Sequence, residues 1–258
     1  MCKFYAIFLC FSTIWTPLRA IFEQKYTNPC VFEKKAVLLQ RKSCERTKQM
    51  SKPSSIIVPE ECTRVLLHAC CAPCSSAIVE WLLAHQIEPV IYYYNPNIYP
   101  LEEYEIRKNE SKRHAESLGI QWIDEDYTHD AWRHDICGLE SEPERGKRCE
   151  VCFYHRLLKT AKKAQELGIP FFATTLASSR WKNLEQINAA GERASSTVSN
   201  EGSTVRFWAQ NWRKDGLQER RNQLLKEYGF YNQAYCGCEF SIPANGRADS
   251  LHGAEFAD

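Results

Sequence analysis

From residue 64 onward, short apolar runs alternate with longer stretches that are apolar on one side and charged on the other. Arg64–His68 (RVLLH) is a compact run of strand character, followed by a helical stretch over Ser75–Ala84 that Ser75 can cap. Pro89–Tyr94 is rich in strand-forming side chains and runs into the turn signals Asn95-Pro96-Asn97. Leu101–Leu118 reads as a helix with a charged outer face, stopped at Gly119. Ile120–Ile123 is a third strand, Thr128–Ile136 a short helix, and residues 138–147 a polar loop. Phe153–Leu167 is a helix closed by Gly168, Pro170–Thr175 a fourth strand, and Gln218–Tyr228 a late helix with Arg220 and Arg221. Strands and helices in alternation predict an α/β fold whose parallel sheet is covered on both faces. Ligands of such folds bind beyond the carboxyl ends of the strands.

The first 49 residues break this pattern. Phe4–Trp15 is an apolar run behind a lone Lys3, which looks like a short export signal, but Pro17-Leu-Arg-Ala20 makes a poor cleavage site. The run is too short to span a bilayer. Met50 opens a second plausible start. We therefore expect residues 1–49 to be a disordered extension or a mis-assigned start, residues 50–241 a single domain, and 242–258 a disordered tail. The net charge of the whole chain is +1, yet residues 1–49 carry nine Lys/Arg against three Asp/Glu, so residues 50–258 have a net charge of −5. Nothing in that balance asks for a nucleic acid, and any such partner needs a local basic patch.

Cysteine usage changes the picture. Of thirteen cysteines, nine follow residue 50, and seven of those nine fall in three tight clusters. A disulfide framework would spread them out; clustering in a chain of this length favours metal or redox chemistry in a reducing compartment. Cys70-Cys71-Ala-Pro-Cys74 lies at a strand-to-helix turn, where free N–H groups favour thiolate over thiol. Cys149-Glu-Val-Cys152 is a C-x-x-C pair at a helix start, and two of each group make the four-thiolate set that iron–sulfur and zinc sites both require. Cys74 is surplus to a closed structural site, which favours a reactive centre. Cys236-Gly-Cys238 suits a strained redox pair or further metal ligation. Cys62 and Cys137 read as packing residues.

Weaker features accompany these. Asn95, Asn97 and Tyr99 follow the second strand, while Glu102, Glu103, Tyr104 and Arg107 read as turn chemistry and a solvated helix face. Arg180-Trp-Lys182, Arg206-Phe-Trp208 and Trp212-Arg-Lys214 interleave cations with rings, as phosphate contact and base stacking require, or as surface arginines around packed tryptophans also do.

HACCAPCSS (68–76), YYNPNIYPLEEYEIRKNE (93–110), RCEVCFYHRLLKTA (148–161), TTLASSRWKN (174–183) and YCGCEFS (235–241) together resemble the QueH-type epoxyqueuosine reductase family, over roughly residues 62–241 in its order and spacing. The resemblance implies a parallel-sheet sandwich like the adenine-nucleotide α-hydrolase (HUP-like) fold, with a small C-terminal helical segment. It implies the last step of queuosine synthesis, removal of the epoxide oxygen of epoxyqueuosine in the tRNA anticodon loop, by a cytoplasmic, cobalamin-independent oxidoreductase. It also implies a [4Fe–4S] cluster on Cys70, Cys71, Cys149 and Cys152, and a redox-active disulfide of Cys236 and Cys238. Cys74 would replace one ligand or hold an additional iron. The partners implied are tRNA and an electron donor, with no membrane. Tyr235, His68 and Glu239 are the nearest candidate proton donors. A sulfur-transfer tRNA enzyme would want a pyrophosphate-binding SGGxDS-type loop where this chain has ACCAPC. A non-catalytic zinc module would leave Cys70 and the C-G-C pair without a role.

Overall fold

The computed structural model describes residues 55–242 apart from 201 and 203. The expectations for residues 1–49 and for most of the 242–258 tail lie outside the described residues. The elements run β1 (Arg64–His68), α1 (Ala72–Ala84), β2 (Glu88–Tyr93), α2 (Leu101–Ser117), β3 (Trp122–Asp124), α3 (His129–Asp135), α4 (Lys147–Glu166), β4 (Phe171–Thr174), α5 (Leu184–Asn200), β5 (Arg206–Phe207) and α6 (Leu217–Glu227). Short 3-10 turns occupy Thr175–Ser178 and Glu239–Ser241.

Five parallel strands are ordered β3-β2-β1-β4-β5. Successive strand side chains point to opposite faces. Val65, Leu66 and Leu67 of β1 are all fully buried, so both faces of the central strand are covered, as the alternation predicted. β1 pairs with β2 on one side and β4 on the other, so the chain leaves neighbouring strands in opposite directions at that point. That divergence opens a crevice beyond the strand ends. The segments at its edge are Ala69–Cys71 after β1, Asn95–Asn97 after β2 and Thr175–Lys182 after β4.

Several boundaries differ from the sequence expectation. Helix α1 begins at Ala72 with Cys71 as its N-cap, so Ser75 lies inside the first turn and its hydroxyl donates to the Cys71 carbonyl at 3.2 Å. Helix α4 begins at Lys147, six residues earlier than expected, which places Cys149 and Cys152 one turn apart on the same face of the helix. Helix α5 was not anticipated. Its first half is rich in helix formers (Leu184, Glu185, Gln186, Ala189, Ala190), while Gly191 and the Ser/Thr-rich second half weaken the local signal. The stripe Ile187, Ala190, Gly191, Ala194 and Val198 packs into the core. A β-carbon on Gly191 would lie 2.4 Å from the Phe207 ring, which explains a glycine in mid-helix. Edge strand β5, the Arg206–Phe207 pair read as a basic–aromatic segment, was likewise missed. No helix among the described residues is long and apolar enough to cross a membrane.

Candidate functional site

The three cysteine clusters converge at the crevice from remote parts of the chain. The sulfurs of Cys70, Cys71 and Cys74 all lie within 4.8 Å of one another, with Cys70 and Cys71 3.8 Å apart. Cys149, Cys152, Cys236 and Cys238 line a narrow cleft of about 40 Å³ together with Asn97 and Trp132. Cys70, Cys74 and Cys236 line an adjoining cavity of about 510 Å³. Cys236, Trp181 and Lys182 border both spaces. The four expected cluster ligands are thus divided between two groupings, and Cys74 stands with Cys70 and Cys71.

Each thiol group is held by polar partners that its own motif does not contain. The Cys70 amide donates to the Thr175 hydroxyl at 3.1 Å, and that hydroxyl donates to the Cys70 sulfur at 3.4 Å. Gln233 donates through Nε2 to the Cys71 sulfur at 3.0 Å. Arg145 adopts a left-handed backbone (φ 67°) and donates its amide N–H to the Cys149 sulfur at 3.3 Å. Hydrogen bonds from the Cys71 and Cys74 thiols hold the Cys70 thiol well below its ordinary pKa against the cost of burial, with help from Lys182 and Thr175. The bonds with Cys70, together with burial, push Cys71 well up and Cys74 to about 11. Burial raises Cys149 and lifts Cys238 to about 12, the latter with a further contribution from the charge of Cys236.

Lys182 is half-buried between the thiol groups. Burial disfavours its charge, but the facing sulfurs of Cys236, Cys70 and Cys74 outweigh that and hold its ammonium above the ordinary value. The Cys-Gly-Cys loop is clamped from the opposite side. Arg107, buried rather than on a solvated helix face, pairs with Glu103 at 2.6 Å. It donates to the carbonyls of Tyr235 at 3.2 Å and Cys236 at 3.4 Å, while Tyr231 O–H donates to Glu103 at 2.8 Å. The Tyr99 amide donates to the Gly237 carbonyl at 2.9 Å, and Tyr235 O–H donates to the Tyr99 carbonyl.

Of the sequence-named candidates, His68 is fully buried and structural. Nε2–H donates to the Tyr94 carbonyl at 3.1 Å, Nδ1 accepts from the Thr174 hydroxyl at 2.8 Å, and burial with nearby Arg156 lowers its pKa to about 3, so it stays neutral. Asn95 braces the crevice, donating to the Ala69 carbonyl at 2.9 Å and accepting from Arg156 at 2.5 Å. Glu239 pairs with Arg133 at 3.2 Å and faces His129 at 3.6 Å. Cys62 is buried as expected, but Cys137 is exposed beyond the end of α3. Trp208 and Trp212 are buried with Trp81, at ring separations of 5.3–6.3 Å, and do not offer faces to a base. Thr175, Arg145 and Gln233 were not singled out from the sequence. Gln233 sits just ahead of the C-G-C motif, and nothing local marks the others as sulfur partners.

The donor set fits a thiolate-bound metal cluster. Soft sulfur donors select such groups. Asn97 Oδ1, Trp132 Nε1, Arg148 Nε and Arg156 Nε, all on residues lining the narrow cleft, are buried without a hydrogen-bond partner in the protein. Buried polar groups of native proteins are ordinarily paired, so these four atoms leave hydrogen-bonding capacity for a group bound in the cysteine-lined cleft.

The sequence profile described as "Epoxyqueuosine reductase QueH" matches residues 65–244. Curated relatives bear the same description. That of Histophilus somni is 42% identical over 215 residues, covering 81% of this chain and 87% of its own length. The Haemophilus influenzae protein is 46% identical over 185 residues (72% and 74%), and the Acinetobacter baylyi protein 45% over 194 residues (75% and 87%). A solved structure of the U34-tRNA thiolase NcsA from Methanococcus maripaludis with its [4Fe-4S] cluster covers 79% of this chain and 68% of its own. At a TM-score of 0.45 and 12% identity, the likeness is too slight to bear on fold or function. By the profile and by its relatives, this chain belongs to the QueH family of epoxyqueuosine reductases.

Proposed function

We propose that this protein reduces the epoxide of epoxyqueuosine in the tRNA anticodon loop to the alkene of queuosine, with release of water. The observation that carries the reading is the meeting of seven cysteines from three distant motifs at one crevice of a chain belonging to this family. Cys70, Cys71, Cys149 and Cys152 would hold a [4Fe–4S] cluster, with Cys74 as a fifth thiolate for ligand replacement or an additional iron. When bound, that group supplies one-electron redox capacity and a Lewis-acidic iron.

The chain's own residues account for the rest of the stoichiometry. Converting an epoxide to an alkene and water takes two electrons and two protons, which is what the Cys236/Cys238 dithiol releases on closing to a disulfide. An electron donor then returns the pair to the dithiol. Arg107 holds the loop's carbonyls, which keeps Cys236 at the border of the cleft and the larger cavity and Cys238 within the cleft. Lys182 would set a positive charge beside the departing oxygen as that oxygen gains negative charge. Paired thiols of this kind require a reducing, cytoplasmic setting. Residues 50–241 would form a single iron–sulfur reductase domain.

The test is anaerobic purification followed by iron and acid-labile sulfide analysis and an epoxyqueuosine-tRNA assay. About four iron and four sulfide per chain, with formation of queuosine, is the expected result. One zinc and no sulfide in folded protein would overturn the reductase reading in favour of a zinc-binding RNA module.

A further inference from the structure

Among the described residues, Trp181 is the tryptophan with a largely exposed side chain (65%), and its position is not accidental slack. The turn that bears it is pinned by cations acting on its backbone. Arg213 donates through Nη2 to the carbonyls of Ser179 at 2.6 Å and Lys182 at 2.8 Å, and Arg145 donates through Nε to the Trp181 carbonyl at 2.8 Å. The Trp181 amide donates to the Ser179 hydroxyl at 3.3 Å. Arg145 also binds the Cys149 sulfur through its own amide, so the turn is tied to the thiol site. A rigid backbone therefore presents an indole to solvent at the border of both the cysteine cleft and the larger cavity.

The surroundings are cationic. Arg180 lies over the Trp181 ring at 4.9 Å, and Arg180, Lys182, Arg107 and Arg221 all line the larger cavity. The residues after position 50 have a net charge of −5, so this is a local patch and not a general property of the protein. Holding a large apolar ring in water brings no folding benefit. A largely exposed indole with Arg180 over one face, beside a basic cavity, matches the stacking platforms on which proteins hold unpaired bases.

We propose that Trp181 is the stacking platform for a base of the anticodon loop adjoining the reacting nucleotide, with Arg180 as its cationic flank. The proposal rests on the tRNA reading of the preceding subsection. It assigns Trp181 to RNA positioning and not to the chemical step.

The experiment measures binding of a labelled anticodon stem–loop RNA to anaerobically prepared wild-type, Trp181→Ala and Trp181→Phe proteins, with 2-aminopurine at successive loop positions. Loss of one base–aromatic stack weakens binding by about 5- to 150-fold. Trp181→Ala should show a loss in this range and no quenching of 2-aminopurine at the stacked position. Trp181→Phe should bind within about threefold of wild type and still quench. Equal binding by wild type and Trp181→Ala overturns the proposal while leaving the tRNA reading intact. A Phe variant as weak as the Ala variant, with quenching gone, also overturns it. A wild-type protein that fails to bind the stem–loop overturns the tRNA reading and the proposal together.

Discussion

Arg107 and Gly237 are packed so closely that a β-carbon on the glycine would lie 3.0 Å from Nη1 of the arginine. The same β-carbon would meet Ile98 Cγ1 at 2.9 Å, and the glycine holds φ at +100°. Gly237→Ala should therefore move the Cys-Gly-Cys loop as well as strain it, at a cost of about 1–3 kcal/mol. The expected outcome is at least tenfold lower turnover of epoxyqueuosine-tRNA with iron content unchanged, measured beside urea denaturation.

Arg107 is 2% exposed and Glu103 8%, so removing one charge strands the other. Arg107→Met should destabilise the protein by about 3–5 kcal/mol, because an uncompensated carboxylate remains buried. The double variant Arg107→Met/Glu103→Gln should recover much of that loss but not the turnover, since neither side chain then holds the carbonyls of Tyr235 and Cys236. Denaturation and activity measured on all three proteins separate the two effects.

His114 is buried against the edges of the Tyr228 and Phe230 rings, and burial with nearby Arg113 lowers its pKa to about 4. The unfolded chain takes up a proton near the ordinary value of about 6.5, whereas the folded protein does so only near 4. The contribution of His114 to stability is thus complete above about 6.5 and is lost progressively as the pH falls to 4. A His114→Phe protein should lose less stability between pH 7.5 and pH 5 than the wild type does, by urea midpoints.

Cys137 provides an internal control for the thiol site. Cys70→Ala and Cys149→Ala should each reduce bound iron severely, while Cys137→Ala, an exposed change beyond α3, should leave iron and activity as in wild type. Cys236→Ser should keep its iron and lose multiple-turnover reduction. Full multiple-turnover activity in that variant would remove the dithiol from the scheme.

Gly191→Ala reverses the usual expectation for a helix interior. Alanine ordinarily stabilises a helix by about 1 kcal/mol over glycine. Here the added carbon would strike the Phe207 ring at 2.4 Å, and overpacking of that kind costs about 1–3 kcal/mol. A lower melting temperature for Gly191→Ala, relieved by Phe207→Leu, is the expected result.

The residues themselves determined the alternation of four strands and most of the helices, the placement of Cys70–Cys74 at the switch in the sheet, and the family. Each of these is written in local periodicity or in side-chain chemistry at short spacing. Tertiary structure decided what depends on distant partners. Helix α5 carries helix formers and a stripe at helical spacing, but Gly191 and its Ser/Thr-rich second half obscure it locally, and the close approach of Phe207 that requires the glycine exists only in the packed fold. Arg107 reads as a surface charge until Glu103 and the C-G-C carbonyls, nearly 130 residues away, enclose it. Three basic–aromatic segments looked alike in sequence, yet Trp208 and Trp212 are core while Trp181 faces the cavity. Burial is a property of the whole packed molecule, and a sequence window of a few residues does not contain it.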